Sequence, residues 1–473
     1  MKVSFGDKPL KISQIAEMCG GSIYTDFGGD DEIKHICTDS REAEKNCLFL
    51  AIRGEKVDGH NYINKAAELG AACAIAEHAV DGANIPLIIV EDTLAAIAAL
   101  STAYAEEYHS DVRKVAVTGS VGKTTAKEMI SAVLGASHKV YKSDGNYNST
   151  IGMPLSQLEI TSDTEFAVLE MGMSQAGEIS VMSRCARPDV AVITNIGNSH
   201  IEFFDSRAGI ASAKLEVMEG LSKDGLLLLC GGEPLLSEVG SWDGRVKYYA
   251  ACGDNDIHAE NVSTAGGKTV FDAVVCGTRI NGVEIFAIGK HNVHAALSAI
   301  GVALHFGISE EDIRRGLLEY RTVGMRQQIL EVGGVTIIND CYNASPESMR
   351  AASEVLSTLA SEKGGKKIAL LGDMLELGEF SSDLHYSVGE HFGAMGVRLF
   401  TFGESAERIA DGAAKRLNSD MITRSRNTTD EDAASVAALI AKEASSGDCI
   451  LIKASRRIAA ERVSAALTDI LSK

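Results

Sequence analysis

The sequence predicts an α/β protein of three domains, and three observations carry that reading. Short apolar runs rich in β-branched residues alternate with helical stretches along the whole chain, the pattern of strands feeding helices. Residues 115–125 break one such run into a glycine loop that ends in Lys-Thr-Thr at the start of a helix. The length, 473 residues, exceeds what one core usually holds, and 46 glycines with 5% aromatic residues suit helices packed closely on sheets. The expected division is a small α/β domain over 1–110, a central parallel-sheet domain of the phosphate-loop ATPase type over 111–323, and a Rossmann-like domain over 324–473.

Lys and Arg number 45 against 65 Asp and Glu, a net charge of -20 that disfavours nucleic acid and anionic membranes as general partners. No apolar run approaches a membrane span, and the first residues lack the apolar core of a signal peptide. A cytoplasmic monomer is expected, with no membrane insertion. The 10 cysteines include no Cys-x-x-Cys pair, which fits reduced thiols better than disulfides or zinc.

The loop reads Val115-Ala-Val-Thr-Gly-Ser-Val-Gly-Lys-Thr-Thr125. Gly119 and Gly122 permit a tight turn in which successive N–H groups, those of Ser120 and Val121 among them, point inward. The helix opening at Thr124 and Thr125 adds its dipole, Lys123 reaches terminal phosphates, and Thr124 can ligate magnesium. Val117 holds a position where the general pattern has glycine, so the loop is the compact Thr-Gly-x-x-Gly-Lys-Thr form. These residues point to ATP or GTP.

Downstream, residues 142–154 are rich in small and amide side chains, Asn148 included, and read as a substrate-facing loop. The run Phe166-Ala-Val-Leu-Glu-Met-Gly172 ends a strand on Glu170, which either holds magnesium or is simply solvated. A second buried-type strand, starting at Val190, leads to Asn198-Ser-His200, where the histidine is as readily structural as a ligand. Lys214 shares a face of an expected helix over 210–221 with Ile210, Val217 and Leu221. Either it snorkels to water, or burial leaves a neutral amine able to take up carbon dioxide as a carbamate, an extra carboxylate for a metal. Asn292, near the start of a long helix, either caps it or meets a base or ribose.

In the first domain, strands are expected at 33–37, 47–52, 72–76 and 86–90, with helices over 62–69 and 93–107. Two polar clusters follow strands, Thr38-Asp-Ser-Arg41 and Arg53-Gly-Glu-Lys-Val-Asp-Gly-His60; taken alone they read as ordinary turns. In the third domain, strands are expected at 335–338, 367–371, 398–402 and 448–452. Their ends carry Asn339-Asp-Cys-Tyr-Asn-Ala-Ser-Pro-Glu-Ser-Met349, Leu371-Gly-Asp-Met-Leu-Glu-Leu-Gly378 and the basic Lys453-Ala-Ser-Arg-Arg457, while Arg326 lies at the junction with the central domain. No glycine dinucleotide fingerprint is present, which disfavours a nicotinamide enzyme.

Thr118-Gly-Ser-Val-Gly-Lys-Thr-Thr125, Leu169-Glu-Met-Gly172, Thr194-Asn-Ile-Gly-Asn-Ser-His200, Ala213-Lys-Leu-Glu216 and Gly289-Lys-His-Asn292 together resemble the ATP-dependent Mur ligases of peptidoglycan synthesis. The resemblance spans nearly the whole chain. Asp340-Cys-Tyr-Asn-Ala-Ser-Pro346, Ser348-Met349 and Leu371 to Gly378 with His385 look like the member that adds a D-alanyl-D-alanine dipeptide to UDP-N-acetylmuramoyl-tripeptide through an acyl phosphate. The resemblance implies that Lys123 contacts phosphates and that Thr124, Glu170, His200 and a carbamylated Lys214 serve magnesium. It further implies that Asn292, Arg326, Asp340 and Asn343 border the nucleotide, and that Ser40, Arg41, Asp58, Gly59, His60 and Asn148 take the UDP substrate. The third domain is implied to receive the dipeptide. Ala295, Cys230-Gly-Gly-Glu233 and Ala454 depart from the family's usual residues. A sister ligase adding one amino acid, a folylpolyglutamate synthetase and a non-catalytic ATP sensor are the rival readings.

Overall fold

The computed structural model describes residues 1–24, 30–54, 56–237, 239 and 245–473. The chain forms two compact units, one of 1–118, 134–193 and 213–227, the other of 119–133, 194–212 and 228–473. Among the described residues, no helix is long and apolar enough to cross a membrane.

The first unit opens with a six-stranded sheet. Its middle strands, His35–Cys37, Cys47–Leu50, Ala71–Ala76 and Leu87–Ile89, run parallel, and Lys2–Ser4 and Ser22–Tyr24 close the edges antiparallel. Both faces are buried, so the strands read as near-continuous apolar runs. Leu48, Leu50 and Ile75 pack on the side of the helices Ile12–Met18 and Thr93–Tyr108, while Cys47, Phe49, Ala74 and Ala76 pack on the side of Ile63–Leu69. The strand expected over 33–37 is divided: the Lys34 N–H turns to Asn46 O at 2.9 Å, and Glu32–Ile33 pairs instead with Leu10–Lys11.

The same unit holds four parallel strands in the order Val140–Lys142, Phe166–Glu170, Arg113–Thr118, Val190–Ile193. Register sets Glu170 beside Val117 and Ile193 beside Thr118, so the carboxylate and the exit to the glycine loop lie at the same carboxyl edge. In open parallel sheets that edge is where ligands bind. The helix expected over 210–221 ends early. It spans Arg207–Leu215 and tightens into a 3₁₀ turn, Glu216–Glu219. Glu216 turns away to accept the N–H groups of Gly177, at 2.8 Å, and Ser180, at 3.2 Å, satisfying the orphan donors that open the helix Glu178–Ala186.

The second unit contains the antiparallel strands Ile257–Ala265, Lys268–Val275 and Thr278–Ile285, the buried helix Lys290–His305, and a six-stranded sheet. That sheet is ordered Gln328–Val332, Val335–Asn339, Cys449–Lys453, Lys367–Gly372, Arg398–Phe402, Ile422–Ser425, and only the first pairing is antiparallel. Its non-sequential order with helical crossovers is the doubly wound arrangement expected for the third domain. Pro346–Lys363 begins on a Ser345 capping box, with Pro346 at its first turn.

Candidate active site

Thr118 leaves its strand into the loop, and the helix Lys123–Gly135 follows. Gly119 has φ +141° and Gly122 φ +85°; a Cβ on Gly119 would strike the Thr194 side chain, so position 119 requires glycine twice over. The loop is braced from the turn after Val190–Ile193. Asn195 Oδ1 accepts the Val121 N–H at 2.8 Å and Asn195 O accepts that of Ser120 at 3.1 Å. Thr194 Oγ1 donates to Val121 O at 2.5 Å, and the Gly197 N–H donates to Ser120 Oγ at 2.9 Å. The N–H groups of Ser120 and Val121, expected to point inward at an anion, are thus engaged by Asn195 and hold the loop in shape. Lys123 Nζ lies along the loop, donating to Gly119 O at 2.8 Å, and the Thr124 hydroxyl group is in a buried residue.

Glu170 is 3% exposed, and its Oε1 accepts from Asn148 Nδ2 at 3.0 Å. The simple solvated reading of this carboxylate is therefore incorrect. The Glu170 N–H donates to Ser143 Oγ at 3.0 Å, and Asn148 O accepts the Gly172 N–H at 2.6 Å. Asn148, expected on the UDP substrate, thus also orients the magnesium candidate. Lys214 is 1% exposed, which overturns the snorkelling alternative. Val217, further along the same chain segment, is also buried.

His200 has φ +63°, and its Nδ1 lies 2.6 Å from Glu376 Oε2. Pairing with His200 holds the Glu376 carboxyl below the ordinary glutamate range, against the opposing effect of burial. Asn292 does not cap its helix. Gly289 takes that position, and Asn292 Nδ2 reaches Ile288 O at 2.7 Å and Gln327 Oε1 at 3.1 Å. Gln327 Nε2 is 2.6 Å from His291 Nε2, and burial pushes the His291 pKa down. The Gln327 N–H donates to Asp340 Oδ1 at 3.2 Å, and the buried Lys453 ammonium meets Asp340 Oδ2 at 2.6 Å and Asn343 O at 3.0 Å. Arg326 lays its guanidinium on the Tyr342 ring, 3.8 Å from the centroid. One connected set thus joins the expected nucleotide residues Asn292, Asp340 and Asn343 through Gln327 and Lys453, with Arg326 adjacent in the chain.

The N-terminal turns are wired locally. Asp39 accepts both the Arg41 N–H and its guanidinium, which holds the Asp39 carboxyl at about 2, and Ser40 begins a 3₁₀ turn capped by Asp39. Asp58 caps Gly59–Tyr62, accepting the His60 N–H at 3.0 Å and lying 2.6 Å from His60 Nδ1; both contacts lower the Asp58 pKa. His60 Nε2 accepts the Glu77 N–H at 2.9 Å. Both ring nitrogens of His60 are therefore engaged within the chain. His385 is likewise internal, accepting the Met374 N–H at 2.9 Å and bonding Ser381 O at 2.7 Å.

Asn195, Gln327, Glu347 and Glu376 carry contacts that sequence reasoning did not single out. Asn195 had a usable signal, an amide directly after a strand of the loop's own sheet. Among the described residues, no three His, Cys, Asp or Glu side chains gather into a metal cage. Magnesium needs none: it commonly takes one or two protein oxygens and completes its shell with phosphate and water.

Three family models match the chain: the Mur ligase family catalytic domain over 32–119, the Mur ligase middle domain over 117–303, and the Mur ligase glutamate ligase domain over 325–456. The UDP-N-acetylmuramoyl-tripeptide–D-alanyl-D-alanine ligase of Bacillus subtilis is 41% identical over 460 residues, covering 96% of this chain and 97% of its own. A crystal structure of MurF from Acinetobacter baumannii matches with TM-score 0.89 at 30% identity, covering 98% of this chain and 99% of that one. MurF from Thermotoga maritima in complex with ADP matches with TM-score 0.81 at 28% identity, over 92% of this chain and 97% of that one. The chain belongs to the Mur ligase family, among its UDP-N-acetylmuramoyl-tripeptide–D-alanyl-D-alanine ligases.

Proposed function

We propose that this chain uses ATP to join D-alanyl-D-alanine to UDP-N-acetylmuramoyl-tripeptide, giving the pentapeptide precursor of peptidoglycan. One observation carries the reading: the likeness to dipeptide-adding ligases runs through 96% of the chain at 41% identity, the third domain included, rather than through the phosphate loop alone. A carboxylate oxygen of the tripeptide attacks the γ-phosphorus of ATP, the bond to ADP breaks, and an acyl phosphate results. The dipeptide amine then attacks the acyl carbon, a C–N bond forms, the C–O bond to phosphate breaks, and the amine gives up a proton.

Residues 1–110 take the UDP end through Ser40, Arg41 and the Asp58-Gly-His60 turn; 111–323 take ATP, and 324–473 the dipeptide. Lys123 and the helix start behind Gly122 neutralise the phosphates as charge moves. Thr124, Glu170, His200 and Lys214 are the residues that would hold magnesium, which when bound supplies further charge neutralisation on the phosphate oxygens. Lys214 is buried, and a carbamate on its amine would present a carboxylate to the metal. Asn292, Arg326, Asp340 and Asn343 border the nucleotide. The enzyme works as a cytoplasmic monomer.

The test is phosphate release from ATP and magnesium with each component omitted in turn. Release that needs both the UDP-tripeptide and D-alanyl-D-alanine supports the reading. Release driven by a single amino acid moves the chain to a sister ligase, and no release with any acceptor favours an ATP sensor.

A further inference from the structure

The turn carrying His200 is gripped by two carboxylates from the last third of the chain. Glu347 Oε1 accepts the Asn198 N–H at 3.2 Å and Asn198 Nδ2 at 2.6 Å. A Cβ on Gly197 would lie 2.9 Å from the Glu347 carboxyl carbon and 3.2 Å from Ser120 Cβ, so glycine at 197 lets the carboxylate and the phosphate loop flank one backbone position. Three residues on, His200 Nδ1 is closed off from water and faces Glu376 Oε2 at 2.6 Å. The carboxylate sits off the ring's ideal hydrogen-bond direction, and at this distance its negative charge favours a proton on Nδ1.

The placement of Glu376 is built by its neighbours. The Met374 N–H is held by His385 Nε2 at 2.9 Å and the Leu375 N–H by Ser455 Oγ at 3.0 Å. Glu376 and His200 both adopt left-handed backbone, each with φ +63°, a conformation that non-glycine residues keep only where surroundings enforce it. Gly378 abuts Glu202, where a Cβ would come within 2.8 Å of the Glu202 Cβ. Two strained residues thus face each other across a close, specific contact.

We propose that Glu376 is a positioning residue for His200: its carboxylate selects the Nδ1–H tautomer and leaves the lone pair on Nε2, while Glu347 holds the same turn through Asn198. A histidine that serves a metal or its water needs one nitrogen bare and the other fixed by an outer partner, and a carboxylate is the commonest such partner. The partner here comes from the loop after the strand Lys367–Gly372, so the sheet expected to receive the dipeptide also sets the state of a residue beside the phosphate loop. The activity arm of this inference rests on the ligase reading; its structural arm does not.

The structural arm is the imidazole tautomer of His200, read by long-range ¹H–¹⁵N correlation in the ligand-free full chain above the imidazole titration range, with His200→Gln assigning the resonance. The expected wild-type state is protonated Nδ1 and bare Nε2. Glu376→Ala is expected to move it toward the mixture of free imidazole, and Glu376→Gln, which keeps the shape but loses the charge, to move it part of the way. In phosphate release, Glu376→Ala is expected to raise the magnesium concentration for half-maximal rate by roughly 10–100-fold with little change in KM for ATP. An Nε2–H tautomer in the wild type, or a tautomer indifferent to Glu376→Ala, overturns the proposal even if ligation is confirmed. The tautomer result stands on its own if ligation fails.

Discussion

The phosphate loop and the N-terminal turns are both polar segments at strand ends, yet they are held in opposite ways. Arg41 is positioned by Asp39 and His60 by Asp58, each two residues away. The loop at Gly119 to Lys123 is held by Thr194, Asn195 and Gly197, more than seventy positions downstream. The turns draw most of their contacts from the same short segment, the Glu77 N–H on His60 being the longer-range exception. A loop wired at long range exists only when the sheet beneath it is assembled, which ties phosphate binding to the integrity of the fold.

The largest expected effect on that contrast comes from Lys123→Ala, which removes the charge proposed to meet the phosphates. Phosphate release should fall by roughly 10²–10³-fold, with the melting temperature little changed. Lys453→Met leaves Asp340 as a buried carboxylate without its cation, and the expected loss is about 3–5 kcal/mol of stability, measured by denaturant unfolding. Unfolding at wild-type denaturant would mean that the Asp340 pair contributes nothing. Asn195→Ala removes the side-chain acceptor of the Val121 N–H while the backbone carbonyl still holds that of Ser120, and should cost about 1–3 kcal/mol, together with weakened ATP binding by calorimetry. Were ATP to bind Asn195→Ala as it binds wild type, long-range bracing of the loop would be refuted. Arg41→Ala is the smallest: its side chain is 86% exposed, so the melting temperature should not move, while KM for the UDP substrate rises and kcat holds.

The sequence disclosed those features that obey local rules. A β-branched strand, two glycines and Lys-Thr-Thr at a helix start mark the loop without any knowledge of neighbours, and Glu170 was legible because it ends an apolar strand. The continuous apolar run Cys47 to Leu50 likewise follows from burial of both sheet faces. Contacts that cross the chain were not legible. Asn198 and Glu347 are 149 positions apart, and nothing in either segment names the other. The helix through Lys214 looked longer than it is because Val217 and Leu221 continue the apolar period, whereas the 3₁₀ turn at Glu216, whose carboxylate takes the N–H groups of Gly177 and Ser180, is set by tertiary contacts. Asn292 looked like a cap because position near a helix start is a local signal, whereas its partner Gln327 is supplied by tertiary structure.

Isotope transfer tests the central claim most directly. The tripeptide substrate is prepared with ¹⁸O in its reacting carboxylate and incubated with ATP, magnesium, D-alanyl-D-alanine and the full chain, and the released phosphate is analysed by mass spectrometry. Ligation through an acyl phosphate predicts that one labelled oxygen appears in each phosphate as the amide forms. Phosphate without label, or labelled oxygen recovered only in water, would contradict it.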